Sequence, residues 1–160
     1  MTRISLRPFR ADDAPWLVER HATLYAADEG FDRTFGPLVA DIIRDFIASH
    51  DPAREAGWIA EHEGLRLGSI FCTQLDAETA KLRLFLLERQ ARGKGVGKRM
   101  LMQCMAFARS RGYRGMRLWT HESHRAACAL YERTGWRLIS ARPVRSFGRD
   151  LVEQSWEITF

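Results

Sequence analysis

The chain has 160 residues, of which 46% are apolar and 28% charged. That is an ordinary globular balance, enough for one domain over residues 1–160 with a sizeable core. Its net charge of +5 suits an anionic ligand, but the basic residues are spread along the chain and no nucleic-acid motif appears, so a nucleic-acid site is not expected.

No apolar run approaches the ~20 residues of a membrane span, and residues 1–5 lack an apolar signal region. Cys72, Cys104 and Cys128 are odd in number and far apart, two of them inside apolar helix patterns. They read as buried reduced thiols of a cytoplasmic protein, neither disulfides nor metal ligands.

In chain order, residues 4–9 read as a strand. Asp12 or Asp13 can cap a helix with Pro15 in its first turn, running to about Ala27. A second helix spans 35–50, with Phe35, Leu38, Val39, Ile42, Ile43, Phe46 and Ile47 on one face and Pro52 beyond its end. Strands at 58–61 and 67–73 flank a Glu63-Gly64 turn, and a third strand spans 80–88. A helix over about 96–111 buries Val96, Met100, Leu101, Cys104, Met105 and Ala108, and Gly112 ends it. Strand 115–121, a helix at about 124–134 stopped by Gly135, and strands at about 136–142 and 150–159 complete a βααβββαβαββ order. This order predicts an α/β domain around one mixed sheet.

The densest chemical signal lies between the third strand and the third helix. Gly93, Gly95 and Gly97 alternate with other residues among Arg89, Arg92, Lys94, Lys98 and Arg99. Glycines there allow backbone conformations closed to other residues and let a ligand approach the main chain, and a helix start presents unsatisfied N–H groups and a positive dipole end. Strand, glycine turn and helix together make a phosphate site. It is not a Walker A loop, because position 92 is Arg and Gly97-Lys98 is followed by Arg99, not Ser or Thr. Nor is it a dinucleotide fingerprint, because the third glycine comes one residue early and no acidic residue follows about 20 positions on.

Gln90-Ala91-Arg92-Gly93-Lys94-Gly95 fits Gln/Arg-x-x-Gly-x-Gly/Ala, and downstream Ala127-Cys128-Ala129-Leu130-Tyr131-Glu132-Arg133-Thr134-Gly135-Trp136 fits Ala-x-x-Leu-Tyr-x-x-x-Gly-aromatic. Both motifs resemble the GNAT N-acetyltransferases, and the resemblance covers the whole chain. It is most similar to the acetyltransferase half of proteins that fuse a MarR-type DNA-binding module to a GNAT domain. The residues suggesting this are Leu24, Tyr25, Phe35, Ala80-Lys81-Leu82-Arg83-Leu84 and Ser146-Phe147-Gly148.

The resemblance implies a mostly antiparallel central sheet, split at the coenzyme site and flanked by about four helices. It also implies acetyl-CoA as co-substrate and direct attack by an amine acceptor in a ternary complex. Gln90, Arg92, Gly93, Lys94, Gly95, Val96, Gly97 and Lys98 would hold the pyrophosphate, with Arg92 and Lys94 either adding side-chain contacts or remaining solvated. The main chain of Phe85, Leu86 and Leu87 would pair with the pantetheine arm, and Tyr131 would protonate the departing thiolate. By residue type alone, Tyr131 reads equally as a core tyrosine. His124 stands where the family commonly has Asn, which helps to place coenzyme A.

A lysine-like amine must lose a proton near neutral pH, at roughly 4.6 kcal/mol if unassisted, so a base, a water chain or a pKa-lowering pocket is expected. Some family members carry a glutamate on the strand before the loop, where this chain has Lys81 and Arg83. Glu29, Glu61, His121 and Glu122 are alternatives, and the segment 25–35, with Asp28, Glu29 and Asp32, lies by analogy on the acceptor side. His121, Glu122 and His124 also invite a metal reading, but no further cluster has ligand spacing. A small-molecule or peptide amine is the expected partner, and a homodimer is a common family assembly. The rival readings are a non-catalytic acyl-CoA-binding domain and a basic interaction module beside a DNA-binding partner.

Overall fold

The computed structural model describes residues 3–160. Its strands are β1 (Ser5–Pro8), β2 (Ala56–His62), β3 (Leu65–Gln74), β4 (Thr79–Leu87), β5 (Gly115–His121), β6 (Arg137–Ser146) and β7 (Arg149–Thr159). Its helices are α1 (Ala14–Glu29), α2 (Phe35–Ser49), α3 (Val96–Ser110) and α4 (Arg125–Arg133). The strands form one sheet in the order β1-β2-β3-β4-β5-β7-β6, and among the described residues β4–β5 is its only parallel pair. The α/β class, the mixed and mostly antiparallel sheet and the four helices agree with the sequence reading.

Two apolar layers sandwich the sheet. On one face, α3 buries Val96, Met100, Leu101, Cys104, Met105 and Ala108, the six predicted positions. They pack in one cluster with Ile70, Leu82, Met116 and, from α4, Leu130 and Tyr131. On the other face, Leu17 of α1 and Val39, Ile43 and Phe46 of α2 cover Phe71. The predicted α2 stripe was too wide: Leu38 and Ile47 are 44% and 42% exposed. Helix α1 runs two residues past its predicted end, to Gly30 at φ 70°, whose N–H donates to the Ala26 carbonyl. The three cysteines are free, with Cys72 and Cys104 buried and Cys128 half-buried.

Asp13 opens α1 without capping it. Its carboxylate instead accepts from Arg7 (2.7 and 2.9 Å), the Arg10 N–H (2.7 Å) and Arg66 (2.8 Å). This buried knot ties β1, β3 and the start of α1 together.

Two features make the cleft. First, β4 and β5 pair only at Thr79–Gly115, Ala80–Met116 and Lys81–Arg117, whereas β5 stays paired with β7 as far as His121–Glu153. The sheet therefore opens past Lys81. Second, β4 bulges there: Ser69 pairs with Leu86 and Phe71 with Arg83, so Leu84 and Phe85 both oppose Ile70. Such a bulge bends a strand and re-aims its backbone groups. Leu84 takes a left-handed φ of 51°, and its carbonyl accepts from the Ser69 hydroxyl at 2.7 Å.

Candidate active site

At the end of β4, the buried Glu88 accepts two hydrogen bonds from Arg20, at 2.6 and 2.9 Å. This ion pair anchors the start of the glycine loop. One turn of 3-10 helix follows, and Gly93 and Gly95 then take φ of 76° and 77°. Gly95 is the residue from which α3 departs. The first intrahelical bond runs from the Arg99 N–H to the Gly95 carbonyl, and among the described residues the amides of 93–98 donate to no protein acceptor. Six consecutive free N–H groups at the positive end of a 15-residue helix form a concave anion site. A Cβ added at Gly93 or Gly95 would meet nothing within 4 Å, so the concavity is open to a ligand. These features fit a pyrophosphate.

Two parts of the sequence reading of this loop change. Gly97 is ordinary helix, and a Cβ there would sit 3.7 Å from Leu130, so only two of the three glycines use left-handed backbone. Arg92 stays 46% exposed but is tied to protein groups in the free chain. Its Nε donates to the Leu87 carbonyl at 2.9 Å and its Nη2 to Asp28 at 3.1 Å, while Arg89 binds the other Asp28 oxygen. Gln90, Lys94 and Lys98 are exposed.

The opened sheet leads from this loop into a cleft of about 730 Å³. Phe85, Leu86 and Leu87 line one wall; Leu86 is buried and its two neighbours half-buried. Tyr131 stands on the opposite, α4 side, only 3% exposed, between Phe85 at 6.5 Å and Trp136 at 5.7 Å (ring centroids). Its hydroxyl makes no hydrogen bond among the described residues, and burial, reinforced by the nearby Tyr25, pushes its pKa well above the ordinary phenol range. The phenol therefore keeps its proton near pH 7. Tyr25 donates to the Phe85 carbonyl at 3.4 Å, and burial, with Glu29 adding, raises it to about 12.

The end of the cleft under α1 and α2 is aromatic and acidic. Phe31 packs against His121 (5.6 Å), Phe35 (5.1 Å) and Phe147 (4.8 Å). His124 precedes α4, with Nδ1 3.0 Å from the Thr120 hydroxyl and Nε2 3.7 Å from Glu29 Oε1. That Nε2 is buried without a hydrogen-bond partner. Burial lowers the pKa of both His124 and His121, outweighing the pull of Glu29, so both rings are neutral near pH 7.

Of the other acids raised from sequence, Asp28 and Glu29 line the cleft, and Asp28 is engaged by the two arginines. Asp32 is taken up by the Thr34 turn. Glu61 pairs with Arg7 at 2.8 Å near the β1 edge, and the exposed Glu122 lies outside the cleft. Sequence reasoning missed Thr120 and His21, whose roles depend on contacts no local pattern encodes.

An α/β fold with a split sheet, an anion loop and a buried tyrosine defines an acyltransferase type of architecture. The sequence profile of the acetyltransferase (GNAT) family matches residues 15–136, and the chain belongs to that family, whose general chemistry is acetyl transfer from acetyl-CoA. Solved structures agree on the fold. An acetyltransferase from Streptococcus agalactiae superposes with a TM-score of 0.82 at 20% identity, covering 98% of both chains. A Salmonella typhimurium protein solved with its cofactor acetyl-CoA gives 0.75 at 19% identity, over 99% of this chain and 94% of that one. Among curated proteins, mouse N-acetyltransferase family 8 member 3 is 32% identical over 103 residues, 61% of this chain. The match spans 44% of that relative's length.

Proposed function

We propose that this protein transfers the acetyl group of acetyl-CoA to a primary amine by direct attack in a ternary complex. The observation that carries the reading is the continuity of three elements: the free amides of 93–98, the opened and bulged β4, and the buried Tyr131 beside it. The amides receive the pyrophosphate, and the Gly95 dipole end adds to the attraction. The pantetheine arm runs along residues 85–87 as an added strand. The bulge directs backbone N–H groups at the thioester carbonyl, stabilising charge that develops on its oxygen.

The amine nitrogen attacks the carbonyl carbon and the C–S bond breaks. The proton on Tyr131 Oη passes to the thiolate sulfur. The amine proton leaves toward the neutral His124 and Glu29, directly or through water, and this end of the cleft supplies the base that β4 lacks. Proximity within the cleft contributes as much as any single group.

We read residues 1–160 as one cytoplasmic catalytic domain acting on a small-molecule or peptide amine. The likeness to MarR-fused acetyltransferases and the prospect of a homodimer belong to this reading. Replacing Tyr131 with Phe tests it. Turnover should fall by roughly 10²-fold or more, while acetyl-CoA affinity stays within about twofold. Unchanged turnover would remove Tyr131 from the mechanism.

A further inference from the structure

Lys81 and Arg83 follow one another at alternate positions of β4, so both side chains leave the sheet on the face covered by α1 and α2. Both are half-buried and line the main cleft as well as a side hollow of about 260 Å³ beneath α2. Among the described residues neither side chain forms an ion pair or a hydrogen bond. Lys81 Nζ only rests 4.9 Å from the Trp119 ring centre, and Trp119 is itself 41% exposed.

The nearby acids do not neutralise the pair. Glu55 spends its two oxygens on the Asp51 and Gln74 amides, and Asp45 is exposed and beyond ion-pair distance of Arg83. The other basic residues bordering the cleft differ: Arg92 is held by Asp28, and Arg125 stands in solvent at the mouth. Burial works against the charge of both β4 cations, and the field of Arg83 works further against that of Lys81. Two adjacent, half-desolvated cations without an acidic partner are unfavourable unless an anion joins them. The coenzyme's phosphates are served by amides 93–98, beyond the far end of β4.

We propose that Lys81 and Arg83 form an oxyanion subsite for the acceptor, which is a small amine carrying a carboxylate, phosphate or phosphonate. The inference rests on the transferase reading and adds the acceptor's class. With the bulge absorbing one residue, and at about 3.3 Å per residue, Arg83 and Lys81 lie roughly 7 and 13 Å along β4 before Leu86. The side chains can therefore hold the acidic end of a compact molecule whose amine lies under Glu29 and His124. Trp119, Leu38 and Ile42 supply the apolar wall between the two ends. The acceptor chemistry is thus bipolar: cation toward α1, anion toward β4.

The test uses the full chain, acetyl-CoA and matched acceptor pairs: β-alanine with β-alaninamide, 2-aminoethylphosphonate with ethylamine, and glutamate with its dimethyl ester. Acetyl-CoA affinity is measured separately by calorimetry. At least one oxyanion-bearing member should exceed its neutral partner tenfold or more in kcat/KM, and which pair does so separates carboxylate from phosphonate. The double substitution Lys81→Gln with Arg83→Gln should bring that preference to within about twofold while acetyl-CoA still binds. Lys81→Arg should keep it. Neutral members used equally well, a preference that survives the double substitution, or acetyl-CoA binding with no pair acetylated would each overturn the subsite. Failure of the parent protein to bind acetyl-CoA would instead overturn the transferase reading beneath it.

Discussion

Gly95→Ala separates what the glycine loop does for the fold from what it does for the ligand. Gly95 sits at φ 77°, and an added Cβ would meet nothing within 4 Å, so the folded-state cost is backbone strain alone. For an L-residue in left-handed backbone that is about 1–2 kcal/mol, or about 2–8 °C in Tm for a domain of this size. The methyl group occupies the concavity framed by amides 93–98. Displacing a phosphate oxygen from one such amide forfeits a charge-assisted hydrogen bond worth about 1.5–3 kcal/mol, roughly a 10- to 100-fold loss of affinity. Gly64 supplies the control. It has φ 79° in the β2–β3 turn, again with nothing within 4 Å of a Cβ, and it lies outside the cleft. Gly64→Ala should lower Tm by a similar amount and leave acetyl-CoA affinity unchanged. Calorimetric titration and thermal melts of both variants decide the matter. Gly95→Ala binding acetyl-CoA within twofold of the parent would refute the phosphate-loop argument.

Two further predictions concern buried titrating groups. His21 donates from Nδ1 to the Leu17 carbonyl at 2.7 Å, and burial lowers its pKa to about 4, so the folded state disfavours its protonation. The unfolded chain binds that proton near pH 6.5, so this stability is complete above 6.5 and is lost as pH falls toward 4. Between pH 7 and pH 5 it should decline by about 2 kcal/mol, read by urea unfolding, and His21→Gln should flatten that slope; an equal slope in both proteins would contradict the assignment. Asp13 acts in the same direction at lower pH. Burial alone would raise its pKa, but hydrogen bonds from Arg7, Arg10 and Arg66 outweigh it and hold the carboxyl far below its usual range. Its contribution is present above pH 4 and disappears in stronger acid. Asp13→Asn should cost about 3–5 kcal/mol at pH 7 by leaving Arg7 and Arg66 without their shared carboxylate, and a loss below about 1 kcal/mol in denaturant unfolding would show the knot to be dispensable.

Much of this architecture was legible from local pattern. The buried face of α3 follows from its 3.6-residue period, and the Gly112 and Gly135 stops follow from backbone preference. The glycine loop was legible as an anion site because its chemistry is local: a turn and a helix start lie within ten residues. What escaped depends on residues far apart in sequence. Nothing near Arg92 says that it will be claimed by Asp28, 64 positions away, or that Asp28 must also hold Arg89. For Leu38, the excess width of the α2 stripe reflects the cleft, which leaves that side chain facing open space that a packed layer would fill. Three alternating glycines suggested three special conformations, yet Gly97 is helical, because one left-handed residue at Gly95 already completes the turn into α3. Nor does anything near His124 foretell that its unpartnered Nε2 lies beside Glu29 and its ring against Tyr25, which only tertiary packing brings together.

Where acetyl-CoA lies is tested most directly by backbone amide exchange measured with and without saturating acetyl-CoA. Among the described residues, the amides of 93–98 have no protein acceptor. They should become protected tenfold or more on binding, together with one or more of residues 85–87, while the β2–β3 turn at Gly64 exchanges as before. Saturation with acetyl-CoA that leaves the exchange of 93–98 unchanged would contradict the account.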